Sequence, residues 1–261
     1  MKSFNSVVYA LALANSGLSH PGANSAASMK LENKRLAVTV TEAGVLSEMR
    51  YDPAGAGRFD ESLNVFDSLE ASEGFALRFG GYGFFSSTNQ DEEIVRGVLC
   101  SCEHPVDARL GVKWIFGSPR LLMSHAFYLD ADEAKLDVVS TVRYCAPQNA
   151  ATGCMMIRSF NPYADRANRV VKTVTEPDGG RSLHVVVPEC GVAVCLTGQA
   201  GAQVGMLTDQ RHDDIPESFW VSGRAVDKLG AHRSGLQCLV SQQGYEASFQ
   251  YRYVLQPAAL N

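Results

Sequence analysis

The chain has 261 residues, of which 46% are hydrophobic and 20% charged, and its net charge is −5 at pH 7. That balance suits a soluble globular protein with a sizeable core, and no apolar run approaches the roughly 18 residues needed to span a membrane. With no dense Lys/Arg cluster against the acidic balance, nucleic acid is not an expected partner.

Residues 1–28 read as an N-terminal arm. Lys2 and the apolar run from Val7 to Ala14 offer a second reading as a short signal peptide, with Ala12-Leu-Ala14 as its cleavage site. Residues 15–28 are a small-residue linker, suited to a mobile tether between subunits of a homo-oligomer. The seven cysteines are an odd number and do not form a disulfide framework. Reduced, buried thiols in a cytoplasmic protein are expected, or a secreted or periplasmic protein if residues 1–14 act as a signal.

A single β-sandwich domain is expected over 29–261. Leu36, Val38 and Val40 alternate with Ala37, Thr39 and Thr41, a period-2 strand that turns at Gly44 into a second strand. Asp52-Pro-Ala-Gly-Ala-Gly57 is a loop, and 61–72 is the best helix candidate, with Leu63, Phe66 and Leu69 on one side. The glycine-rich aromatic stretch 75–85 suggests a sheet bend. Strands are expected at 93–103, 112–116, 120–130 and 135–145, the last two joined by the hairpin Ala131-Asp-Glu-Ala134. Further strands at 154–159, 170–176, 182–188, 191–197 and 203–207 follow, with Pro177-Asp-Gly-Gly180 as a hairpin turn. The last are at 219–223, 235–241 and 247–256. Many short strands between turn signals, without βαβ alternation, predict an all-β, antiparallel two-sheet sandwich with few short helices.

Leu31-Glu-Asn33, then a strand, a Gly turn and a second strand, resembles the opening of sugar-processing domains with the galactose mutarotase-like fold. Ser124-His-Ala-Phe-Tyr-Leu-Asp130 followed by Leu136-Asp-Val-Val-Ser-Thr-Val-Arg-Tyr144 is similar to a strand pair of the same domains. The resemblance implies a β-supersandwich over roughly residues 29–256, with a saccharide-binding concave face. Sugar mutarotases of this fold carry an Asn-x-x-His-Gly phrase with their first catalytic His. The phrase is absent here, so no catalytic residue carries over.

Candidate chemistry then rests on the residues themselves. Cys100-Ser-Cys102-Glu-His104 is the densest cluster of ligand-type groups, but one extended strand poorly wraps a tetrahedral ion, so no metal and no cofactor are expected. His104, before Pro105, is placed at a sheet rim where a ligand could enter. His212 lies in a polar loop with Asp209, Asp213 and Asp214, where nearby carboxylates suit a general acid or base. His104 and His212 are therefore the candidate acid/base pair. Arg78, Arg143, Tyr82 and Glu189 are candidate substrate contacts: the guanidinium forks for hydroxyls or carboxylates, the ring for stacking, and Glu189 as a carboxylate at a turn. His125, aligned with Met123 and Phe127, and His184, aligned with Val186, read as core histidines.

The expectation is a carbohydrate-active protein of epimerase, lyase or hydrolase type that binds a saccharide or similar small molecule. The alternatives are a non-catalytic glycan-binding or assembly protein of the same fold, and a calycin-like protein with an apolar ligand.

Overall fold

The computed structural model describes residues 28–66, 74–79, 83–86, 97–117, 121–144, 154–160, 162–163, 166, 168–177, 181–199, 203–207, 237–244 and 246–258. The N-terminal arm and the expected strand at 219–223 lie outside them.

Among the described residues three antiparallel sheets make up the fold. The smallest holds β1 (Ser28–Glu32), β2 (Leu36–Thr41) and β3 (Leu46–Tyr51) in that order. A second, five-stranded sheet contains β4 (Gly74–Phe79), β5 (Gly83–Ser86), β10 (Cys154–Phe160), β14 (Gln203–Leu207) and β15 (Gln237–Gly244), in the order β14-β15-β10-β4-β5. The largest contains β6 (Val98–Glu103), β7 (Leu110–Gly117), β8 (Leu121–Leu129), β9 (Lys135–Tyr144), β11 (Val170–Thr175), β12 (Arg181–Val187), β13 (Val192–Gln199) and β16 (Glu246–Pro257). Its order is β11-β12-β13-β16-β9-β8-β7-β6, so it is open among the described residues and does not close into a calycin-like barrel. Both expected hairpins are present: β8 pairs β9 around residues 130–134, and β11 pairs β12 around 176–180.

The three-stranded sheet covers one face of the large sheet. Leu36, Val38 and Val40 of β2 have no exposed surface, and they share a core with Phe127, Val138 and Tyr251 of the large sheet. Burying one such aliphatic side chain is worth about 1.5–3 kcal/mol, so this layer supplies the main favourable term of the fold. Trp114 anchors it. Its indole donates from Nε1 to Glu42 O at 2.9 Å and stacks on His125 at 4.9 Å. Gly44, at φ +69°, turns β2 into β3 beneath that ring, and a Cβ there would stand 2.8 Å from Trp114 Cδ2.

Asn33, part of the Leu-x-Asn opening, ties the two layers together. Its Oδ1 accepts from Arg35 N and Leu36 N at 2.7 Å, while its Nδ2 donates to Asp130 O at 2.7 Å and Glu133 O at 2.9 Å. One amide therefore closes the β1–β2 turn and holds the β8–β9 hairpin.

The helix expected at 61–72 is a single 3-10 turn, Glu61–Leu63, as far as the described residues extend. Asn64 leaves it with extended backbone, and its side chain accepts from Met49 N at 2.9 Å and donates to Phe66 O at 2.9 Å. An Asn that satisfies neighbouring backbone in this way competes with helix continuation. Among the described residues no helix is long and apolar enough to cross a membrane.

Candidate functional site

Residues opposite one another in an antiparallel sheet point to the same face. In the large sheet one face is the apolar core, and the other carries the polar groups among smaller apolar residues such as Ala126, Val139 and Val254. Along one cross-strand row of the polar face stand Tyr128 of β8, Asp137 of β9, Arg252 of β16, Thr197 of β13 and Ser182 of β12, each opposite the next.

Asp137 is the centre of this row, its side chain 1% exposed. Arg252 grips it with both arms of the guanidinium, Nε to Oδ1 at 2.7 Å and Nη2 to Oδ2 at 2.9 Å. Arg109, just before β7, adds Nη2 to Oδ2 at 2.9 Å. A carboxylate this deeply buried persists because two cations and three short contacts replace its water. Those contacts raise the pKa of both arginines. For Arg252 the Asp137 bond is the main cause, and for Arg109 burial works downward while the Asp107 and Asp137 bonds outweigh it.

The β6–β7 hairpin brings the histidine. Ala108 takes a left-handed conformation at φ 56°, and His104 O accepts from Ala108 N at 3.2 Å. A non-glycine residue there costs on the order of 1 kcal/mol. The tight turn folds Asp107 back between two partners, with Oδ1 2.7 Å from His104 Nδ1 and Oδ2 2.6 Å from Arg109 Nε. The Asp107 carboxyl titrates below the usual range, chiefly through the Arg109 bond. Nδ1 is thus held within the turn, and Nε2 is the ring nitrogen left to meet a ligand. Backbone N–H groups of Val106 and Asp107 also donate to Nδ1, at 3.3 Å. The imidazole packs edge-on against Tyr128 at 4.7 Å, with its side chain 14% exposed.

Tyr128 titrates at about 12, pushed up by burial and then by Cys102, with which it shares a hydrogen bond. Burial raises the Cys100 and Cys102 thiols as well, so neither is an activated nucleophile at neutral pH. Gly111 separates Cys102 from Tyr128 in the register; a Cβ there would stand 2.6 Å from Tyr128 Cδ1, so the glycine makes room for the ring.

Further along the face lies a second polar group. Ser182, with no exposed surface, donates from Oγ to a Glu176 carboxylate oxygen and lies 3.0 Å from His184 Nε2. With its O–H directed at Glu176, Ser182 Oγ is left to accept from His184 Nε2–H, and Cys195 Sγ lies 3.4 Å from the same nitrogen. Burial is again the main cause of a raised Cys195 pKa. His184 is therefore not the core histidine its alternation suggested: it shares the polar face with Ser182 and Cys195. His125 is on the core face as expected, buried against Trp114 and 3.0 Å from Ser140 Oγ.

The sequence candidates are spread out. His104 belongs to the Asp107–Arg109–Asp137 network. Arg143 is exposed on the same face of β9 as Asp137, six residues along, roughly 20 Å away, and in register with Glu246. Glu189 sits in the 3-10 turn Pro188–Cys190, near Arg166 at 3.8 Å and Asn168 at 3.5 Å. Six inter-strand steps, roughly 29 Å, separate that end of β12 from β6. Arg78 lies on β4 in the five-stranded sheet, opposite Met155 and Phe84. Tyr82 and His212 lie outside the described residues. Asp107, Arg109, Asp137 and Arg252 were not among the candidates. The one available signal was a lone charge flanked by apolar strand residues, as in Leu136-Asp-Val and Tyr251-Arg-Tyr.

No family model matches the chain, and no curated protein sequence matches it. Among solved structures, a bacterial glucoamylase complexed with acarbose matches over 93% of this chain and 35% of its own length, at a TM-score of 0.50 and 9% identity. The chain thus spans about a third of that enzyme. A putative aldose 1-epimerase from Escherichia coli K12 matches over 88% of this chain and 99% of its own, at 0.44 and 11%. A galactose mutarotase-related enzyme from Lactobacillus acidophilus matches over 88% and 97%, at 0.43 and 7%. The glucoamylase likeness, at 9% identity, is one of fold, and that fold is the large antiparallel sandwich the opening residues implied.

Proposed function

We propose that the protein is carbohydrate-active and that the polar face of the large sheet, at its β6–β7 end, is the saccharide site. The observation that carries this reading is the Asp107–His104 pair set beside Arg109, Asp137 and Arg252. His104 is the acid/base group. Asp107 orients it through Nδ1, and Nε2 takes the proton of the anomeric hydroxyl. As a partner acid protonates the ring oxygen, the C1–O bond of the ring breaks, and reversal from the other face exchanges the anomers. His212 is the candidate for that partner acid. Arg252 spends Nε and Nη2 on Asp137, so its Nη1 is the donor for a sugar hydroxyl or carboxylate.

That both oxygens of Asp137 are already held by Arg109 and Arg252 also favours a second reading, a non-catalytic glycan-binding protein in which this network only shapes the face. Magnetization-transfer NMR on the anomeric protons of a panel of aldoses and uronates tests both. The first reading expects faster anomer exchange, lowered at least about 100-fold by His104→Gln. Binding with no faster exchange favours the second reading, and an absence of both binding and exchange refutes the two together.

A further inference from the structure

We infer that the ligand of this face is an oligosaccharide lying across the strands, occupying a track that runs from His104 and Arg252, which cover the buried Tyr128–Asp137 centre, to Glu176 and His184, which flank the buried Ser182. This rests on the saccharide reading above and goes further, naming the size of the ligand and a second polar station for it.

Three observations converge. The first is continuity. Arg252 stands opposite Thr197, and Thr197 opposite Ser182, so the polar row passes from one group to the other without an apolar break. The next row repeats the pattern in part, with Gln250 of β16 opposite Gln199 of β13. Hydroxyls and amides offer both donors and acceptors, as sugar hydroxyls require, without fixed charge. The second is length. From β8 to β12 is four inter-strand steps, about 19 Å, which exceeds a single sugar ring and suits several in a chain. The third is access at the far end, where β11 presents Val174, 38% exposed, in register with Ser182. An apolar edge beside hydroxyl and imidazole groups suits the C–H face of a sugar ring.

The His104 ring, packed on Tyr128 of β8, and His184 of β12 stand four inter-strand steps apart, about 19 Å, so they cannot serve the same ring. On a chain ligand they meet different rings. The Ser182 hydroxyl, bonded to Glu176 on one side and His184 on the other, fixes His184 in place as a contact for the distal ring.

The test is calorimetric titration of the full chain with ladders of cello-, malto- and galacturono-oligosaccharides from mono- to hexasaccharide. We expect affinity in one ladder to rise at least about tenfold from monosaccharide to tetrasaccharide, and the rise to flatten in Thr197→Val/Gln199→Ala. A thermal melt of that variant within about 2 °C of wild type shows that flattening is not misfolding. Equal affinity for mono- and hexasaccharide overturns the track and leaves the local site standing. No binding in any ladder overturns the saccharide reading itself, and the track with it.

Discussion

Replacing Asp137 by Asn is the sharpest test of the central network. The amide keeps the shape of the carboxylate but removes the charge that two guanidinium groups share. Three contacts are at stake, two from Arg252 and one from Arg109. A hydrogen bond to a charged group is worth about 1.5–3 kcal/mol net, and breaking a buried pair costs about 3–5 kcal/mol. Arg252 is 36% exposed, so water can take up its freed donors and its share falls to the low end. Arg109, 14% exposed, has less recourse to water and faces an amide N–H in place of an acceptor. The expected loss is about 3 kcal/mol. For a chain of this size it lowers Tm by about 6–12 °C. Urea unfolding followed by circular dichroism gives the free energy, with the exposed Asp132→Asn as a control expected within about 0.5 kcal/mol of wild type. The loss should persist at high salt, because a buried pair is little screened. An Asp137→Asn variant as stable as the control would mean that the carboxylate is hydrated and that the grip of the two arginines is not a structural centre.

Asn33→Ala should cost about 2–3 kcal/mol in the same assay, since it strips partners from two carbonyls and two amides at once; Leu36 N–H should then exchange faster, and unchanged exchange would refute the clasp. Gly44→Ala should cost about 2–3 kcal/mol, more than Gly57→Ala, which shares the positive φ but has nothing within 4 Å of its Cβ. Equal losses at the two glycines would show that Trp114 yields freely. Tyr128 makes an alkaline prediction. Its folded pKa, about 12, lies above the unfolded value of 10, so its contribution is complete below pH 10 and is lost as the pH rises toward 12. Tyr128→Phe should flatten that limb of the stability profile, and an unaltered limb would assign it to other groups.

The parts of the fold that were legible in the sequence are those written in local pattern. Alternation placed β2 and β8, Pro177-Asp-Gly-Gly180 and Ala131-Asp-Glu-Ala134 placed two hairpins, and Gly44 placed the turn under Trp114. The helix at 61–72 misread because three apolar residues at helical spacing say nothing of Asn64, whose amide finds backbone partners outside a helix. Of the polar cluster around Asp137, sequence reading singles out only His104. Asp137 and Arg252 meet across 115 residues, through a pairing of β9 with β16 that no local signal specifies. His184 misread for a related reason: alternation says that a residue shares a face with Val186, but not which face is the core.

The position of β16 has a consequence for how the protein is made. Of the described strands it comes last in the chain, yet it lies in the middle of the large sheet, between β13 and β9. During synthesis β6 to β9 can form one hairpin stack and β11 to β13 another. Neither stack can join the other, and Asp137 cannot meet Arg252, until residues 246–257 leave the ribosome. Until then β9 and β13 are open edges, each ready to pair with the wrong strand. Such long-range closure makes for slow folding, dominated by the arrival of one segment. A ribosome stalled before β16 should therefore hold a chain that chaperones bind and proteases cut, and release of that single strand should convert it to the resistant form.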